Sequence, residues 1–298
     1  MQIKMAKLAK LVSIFSLLTA LVLLSSCPAI SQELENQNEF SYDEDSEIGP
    51  QHWGDIKPEW SLCKYGERQS PIDLINKLVE IVSYLGPLQI RSKPSNAILK
   101  NRGHDIKLEF TENSNYLLID GIQYALKQFH WHSPSEHTIN GRRLDLELHM
   151  VHQTPSGQIA VIGVLYRIGK PDTLLSLLRK DLRAISGQTG EERVVGVINP
   201  KLVKLDRDEY YRYNGSLTTP ACSQNITWTI IREVKSVSKK QIELLRVAVH
   251  DESDSNARPL QPLNDRLVQL NRPKRCQPLK FESTHDDQNM IRNLYDSE

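Results

Sequence analysis

The chain has 298 residues, 39% of them apolar, and its 37 basic side chains balance 37 acidic ones. That length and apolar content suffice for one large or two small domains with real cores, which excludes intrinsic disorder over most of the chain. Zero net charge excludes bulk electrostatic binding to nucleic acid, which needs a basic excess or stripe.

Residues 1–31 read as a signal peptide. Lys4, Lys7 and Lys10 precede an uncharged run from Leu11 to Leu24 that is short for a bilayer span, and Ala29-Ile30-Ser31 offers small residues where a signal peptidase reads. The expected consequences are entry into the secretory pathway, a secreted or organellar destination, and no stable membrane anchor. Leu24-Ser25-Ser26-Cys27 has the look of a lipoprotein box, but Pro28 directly after the cysteine counts against it. Cleavage removes three lysines and no acids, leaving 34 basic against 37 acidic residues, or −3. Export permits disulfides. With Cys27 gone, Cys63, Cys222 and Cys276 remain, and the sequence alone allows three pairings.

Residues 32–41 form an acidic arm. Residues 42–282 contain no Ser/Gly-rich or Pro-rich linker and no internal repeat, which predicts one domain; residues 283–298 are a polar tail. Period-two alternation predicts strands over 105–110, 116–119, 128–132, 144–152, 159–166 and 226–231. Helical periodicity is confined to 171–185 and 239–249. The expected fold is mainly β (α+β), a single domain around a large twisted, mostly antiparallel sheet with a few short peripheral helices.

Two of these strands carry chemistry. In Gln128-Phe129-His130-Trp131-His132, side chains two apart share a face, so Gln128, His130 and His132 point one way. In the segment from Leu144 to Val151 the leucines and Met150 make an apolar face, while Glu147, His149 and Val151 lie on the other. If these strands are neighbours, three imidazoles converge. Three histidines with an open fourth position are the ligand set of a catalytic zinc and not of a closed structural one. Gln128 and Glu147 each sit two residues from a histidine and on its face, where an acceptor can hold the other ring nitrogen.

These segments resemble the zinc region of the α-class carbonic anhydrases: Gln128 to His132, Ser135-Glu136-His137-Thr138, and Glu147 to His152. The resemblance extends over about residues 42–270. His52-Trp53-Gly54, Gly66 to Ile72, Asn101-Arg102-Gly103-His104, Tyr213 to Pro220 and Asn256 to Pro262 all match family signatures. Gly49 to Gly54 and Lys57-Pro58-Glu59 are most similar to exported plant members.

The resemblance implies a carbonate dehydratase: reversible hydration of carbon dioxide to bicarbonate and a proton by attack of zinc-bound hydroxide, with one Zn2+ per chain. It implies His130, His132 and His149 as ligands, and Gln128, Glu147 and the backbone carbonyl of Asn256 as their partners. Glu136 and Thr218 would aim the nucleophile, and Thr218 and Thr219 would contact substrate, bicarbonate or inhibitors. An apolar wall of Val151, Val161, Leu217, Ile226 and Trp228 would receive the uncharged substrate. His104 is the implied proton shuttle, since an imidazole takes and gives protons near neutrality. Arg102 and Lys107 stand where the best-known family form carries asparagines, and Asp55 where it carries tyrosine; these departures touch the water path and not the metal set. Cys63 and Cys222 match the disulfide of exported members, which leaves Cys276 unpaired. Sulfonamides and anions are the expected inhibitors, and nothing in the sequence sets the oligomeric state.

The resemblance gives His137 and His152 structural roles. His52, His250 and His285 read as structural or surface residues. Asn214 and Asn225 begin Asn-x-Ser/Thr acceptor sequences, but both adjoin ordered segments, which argues against access. A carbonic-anhydrase-like binding or storage protein with little turnover is the alternative function. The intact ligands, Glu136 and Thr218 favour the enzyme.

Overall fold

Alternate side chains of an extended chain face opposite ways, so segments with every second residue apolar can cover a core with one face. The computed structural model describes residues 39–248 and 255–273. The leader, Cys27, the arm up to residue 38, His250, Cys276, His285 and the tail at 283–298 lie outside the described residues.

The first strands are β1 (Asp73–Leu74), β2 (Glu80–Val82), β3 (Gln89–Arg91), β4 (Ser95–Asn101), β5 (Ile106–Phe110) and β6 (Tyr116–Ile119). The central ones are β7 (Ile122–His132), β8 (Thr138–Ile139), β9 (Arg142–Arg143), β10 (Leu146–Gln153) and β11 (Ile159–Ile168). Then come β12 (Glu192–Ile198), β13 (Tyr210–Ser216), β14 (Gln224–Ile231), β15 (Lys235–Val237) and β16 (Gln269–Asn271). The main sheet runs β12-β4-β5-β7-β10-β11-β14-β13-β16-β2, with β3, β6 and β15 off that path. Parallel pairs are β1–β8, β11–β14, β11–β15 and β16–β2; the other pairs among the described residues are antiparallel, as the alternation predicts.

Helices are short and peripheral: α1 (Trp53–Ile56), α2 (Leu62–Tyr65), α3 (Thr173–Ala184) and α4 (Lys239–Ala248). α3 begins later than the periodicity suggests because Asp172 caps it, its side chain accepting from the Leu175 N–H at 2.8 Å. Its Leu174, Leu175, Leu178 and Leu182 form the buried stripe.

The sheet has two unlike faces. One carries Phe129, Trp131, Leu148 and Met150 into a large core with the α3 and α4 leucines. The other carries Val151, Val161, Leu217, Ile226 and Trp228 into a second cluster, beside which the histidines project. At Gly215 the close approach of chains admits only hydrogen, since a Cβ there would meet Ser70 Oγ at 2.2 Å. Cys63 and Cys222 are joined, their Cα atoms 5.0 Å apart, which selects one of the three pairings. Phe40, Tyr42, Trp53 and Trp60 pack around that bridge.

Candidate metal centre

β7 and β10 are antiparallel neighbours in a register that sets His130 directly opposite His149 and His132 opposite Glu147. Opposed residues share a face, so the pairing converges the three rings. Their centroids are 4.9, 4.9 and 4.6 Å apart. His130 Nε2 lies 3.1 Å from His149 Nδ1. Tetrahedral metal–nitrogen bonds of about 2.0–2.1 Å place ligand nitrogens roughly 3.3–3.4 Å apart, so this spacing fits a shared ion.

The outward nitrogens are all engaged. His130 Nδ1 is 2.9 Å from Gln128 Oε1, His132 Nδ1 is 2.6 Å from the Asn256 carbonyl, and His149 Nε2 is 2.9 Å from Glu147 Oε1. Each acceptor draws the ring proton to the outward atom and leaves the inward one as a lone pair. His132 Nε2 is buried with no hydrogen-bond partner among the described residues, as a ligand atom facing an ion site would be. His130, His132 and His149 therefore form a buried group that can hold a metal ion.

Burial, with His132 and His149 beside it, holds the His130 imidazole well below its ordinary pKa, the neutral form a metal needs. Burial also works against a charged His132, but the Glu136 carboxylate and the Asn256 carbonyl outweigh it and raise that pKa. Burial would raise the Glu147 carboxyl, yet His137 and His149 pull it well below the usual range.

Glu147 is the hub of the centre. Oε2 accepts the backbone N–H groups of Glu136 (2.9 Å) and His137 (2.8 Å), while Oε1 meets His137 Nδ1 (2.7 Å) and His149 Nε2. His137, Glu147 and His149 form a second group of potential ligands. Their atoms are spent on one another, and His137 Nε2 goes to the Tyr213 hydroxyl at 2.7 Å, so the group serves to orient His149. Gly163 leaves room for Glu147: a Cβ there would come within 3.0 Å of Oε1 and 2.6 Å of Ile230 Cδ1.

Glu136 Oε1 accepts the Arg258 N–H at 2.9 Å, and its Oε2 is buried without a partner among the described residues. Thr218 and Thr219 are buried near the loop between β13 and β14. No hydrogen bond joins Thr218 to Glu136 among the described residues, and Thr219 Oγ1 has no partner there either. Val151, Val161 and Trp228 stand opposite one another across β10, β11 and β14. The Trp228 ring lies 4.8 Å from His149.

His104 is buried beside this site: its carbonyl accepts from Asn256 Nδ2 at 3.0 Å, the same residue whose carbonyl holds His132. The ring packs 5.2 Å from Phe40 and sits 3.8 Å from Asp105 Oδ1. Arg102 pairs with Asp105 and, against the cost of burial, holds its carboxyl down at about 2. Lys107 lies directly opposite His130 on β5 and pairs with Glu109 at 3.0 Å. Asp55 points away to a surface pair with Lys64.

His152 is buried on Met150 O at 2.9 Å, away from the ligand group, and His52 is exposed. Phe40, Tyr42, Tyr213 and Arg258 are site neighbours the sequence reading did not single out. Arg258 donates to Gln69 Oε1, Ser70 O and Cys63 O at 2.8–2.9 Å, and burial lowers its pKa to about 10. Only its place as the lone charge in the segment 256–262 hinted at it.

The family model for eukaryotic-type carbonic anhydrase matches residues 48–272. The chain belongs to the carbonic anhydrase family. Alpha carbonic anhydrase 7 of Arabidopsis thaliana is 53% identical over 262 residues, covering 88% of this chain and 95% of that protein. Among solved structures, dioscorin complexed with ascorbate matches with a TM-score of 0.78 at 40% identity, over 80% of this chain and 100% of that one. The α-carbonic anhydrase of Thermovibrio ammonificans in complex with the inhibitor sulfanilamide gives 0.70 at 36% identity, over 80% and 100%. The fold is thus that of the carbonic anhydrases, whose members act on carbon dioxide and use zinc. Among the described residues no helix is long and apolar enough to cross a membrane.

Proposed function

We propose that this chain is an active, exported carbonate dehydratase holding one zinc ion on His130, His132 and His149. The observation that carries this reading is the three facing ring nitrogens, each with its far nitrogen committed to an acceptor. A zinc ion bound there supplies Lewis acidity that brings a coordinated water's pKa toward neutrality, as is established for carbonic anhydrases.

The chain's own residues do the rest. Gln128, Glu147 and the Asn256 carbonyl hold the imidazoles neutral and aimed. Glu136 Oε2, which has no partner among the described residues, would accept a hydrogen bond from the Thr218 hydroxyl; with that proton so placed, the Thr218 oxygen would accept a hydrogen bond from the attacking oxygen, which keeps its proton and directs a lone pair at carbon. The Thr218 N–H faces a substrate oxygen, and Thr219 contacts bicarbonate or a bound inhibitor. Val151, Val161, Leu217, Ile226 and Trp228 keep water from an uncharged substrate that needs no polar partner. His104 accepts the released proton at a ring nitrogen and passes it to buffer.

Stopped-flow carbon dioxide hydration on the mature chain, with zinc content on the same sample and a sulfonamide control, tests this. Sulfonamide-sensitive turnover with one zinc per chain supports it. One zinc without turnover favours the second reading, a binding or storage protein, for which the likeness to dioscorin speaks. A chain that takes up no zinc defeats the proposed ligand set.

A further inference from the structure

The two Asn-x-Ser/Thr sequences meet on one ladder. Asn214-Gly215-Ser216 ends β13 and Asn225-Ile226-Thr227 follows Gln224 at the start of β14, with Asn214 opposite Thr227, Gly215 opposite Ile226 and Ser216 opposite Gln224. Asn225 is the unpaired residue of a bulge, with φ 66°. Asparagine is among the few residues that enter this left-handed region readily. Both asparagines are exposed, which overturns the expectation of restricted access.

The two acceptors are not equivalent. Asn214 occupies a regular ladder position in a cleft walled by Glu67, Arg68, Asn264, Asp265 and Arg266. Arg266 reaches over to the Asn214 carbonyl at 3.4 Å and packs on Tyr213. Ser216 is fully buried and spends its hydroxyl on Leu217 O at 2.7 Å. Asn225 instead leaves the ladder at its bulge, and none of these cleft residues walls it in. Diagonal neighbours across a ladder stand only ~7–8 Å apart, too close for two branched oligosaccharides. The Cys63–Cys222 bridge, three residues earlier, requires an oxidising compartment on evidence independent of the leader.

We propose that Asn225 carries a single N-linked oligosaccharide. The Asn225 amide nitrogen forms a bond to the anomeric carbon of an N-acetylglucosamine. The bond from that carbon to the diphosphate of a lipid-linked donor breaks, the amide gives up one proton, and the lipid diphosphate leaves. The inference rests on export and not on catalysis.

The test is intact mass and peptide mapping of the full chain secreted from a eukaryotic host. Because Asn225→Gln strains a left-handed position, Thr227→Val and Thr227→Ser accompany it. The mass of one oligosaccharide is expected on the parent, on Thr227→Ser and on Asn214→Gln, and its loss in Asn225→Gln and Thr227→Val. A secreted parent of bare peptide mass, or an oligosaccharide that survives Thr227→Val, overturns the proposal. A chain retained in the cell with its leader attached overturns export and the proposal together. Zinc content and hydration on the same samples read the enzyme separately: an oligosaccharide on a chain without turnover supports this inference while sinking the catalytic one.

Discussion

Replacing Glu147 by glutamine changes one oxygen into an NH2 group at a site where the carboxylate accepts four N–H contacts. In one orientation the new NH2 faces the backbone N–H groups of Glu136 and His137. Two buried donors then lose their acceptor, at about 1–3 kcal/mol each. In the other it faces His137 Nδ1 and His149 Nε2, which must both become acceptors. That orientation keeps its hydrogen bonds, so it wins, but it moves the His149 proton to Nδ1, the atom 3.1 Å from His130 Nε2. Metal affinity should fall by roughly 10–100-fold, the usual loss when such a partner is changed. Zinc affinity from competition with a chelator reads this directly, with thermal unfolding of the metal-free protein alongside. A Glu147→Gln variant that keeps zinc affinity within about twofold and an unchanged unfolding temperature would refute the account of Glu147 as the orienting group.

Three further outcomes are expected. Cys63 and Cys222 close a loop with a sequence separation of 159, for which the chain-entropy model gives about 5 kcal/mol, so full reduction should lower the unfolding temperature by roughly 10 °C or more; an unchanged melt under complete reduction counts against the bridge. Asp105 is held near 2 against an ordinary 3.8, so the unfolded chain takes up its proton first as pH falls. Its stabilisation, about 2 kcal/mol, is present above pH ~4 and lost toward pH ~2, and Asp105→Asn should flatten urea-unfolding stability across that window while costing about 3–5 kcal/mol at neutral pH by removing the buried carboxylate paired with Arg102; parallel pH profiles for parent and variant would contradict the pairing. His104→Ala should slow kcat in weak buffer with kcat/KM spared, and added imidazole should restore it; a variant with parental kcat in weak buffer would move the shuttle to another group.

The ligand faces of β7 and β10 were legible because strict alternation leaves only one way for His130, His132 and His149 to point. What periodicity could not supply was that the two strands are neighbours, a contact made in three dimensions and visible in the sequence only through family resemblance. β12 escaped because Gly196, at φ 75°, breaks its alternation with a bulge. β13 escaped because Tyr210-Tyr211-Arg212-Tyr213 is polar and aromatic on both faces and shows no apolar alternation. β2 and β16 are three residues each, below any useful window. Phe40 and Arg258 act through packing at long range, which no local pattern records.

The pairing of β2 with β16 bears on the order of events at the ribosome. Among the described residues β2 meets the main sheet only through β16, across 189 residues of chain. At ~5–20 residues per second, its first-made edge waits roughly 10–40 s for its last strand. Asn256, which fixes His132, and Arg258, which holds Glu136, also emerge near the end. β7 and β10, which carry the three histidines, are therefore made well before Asn256 and Arg258, so the group that can hold a metal ion gains its full set of orienting contacts only once residues 256–258 have been added.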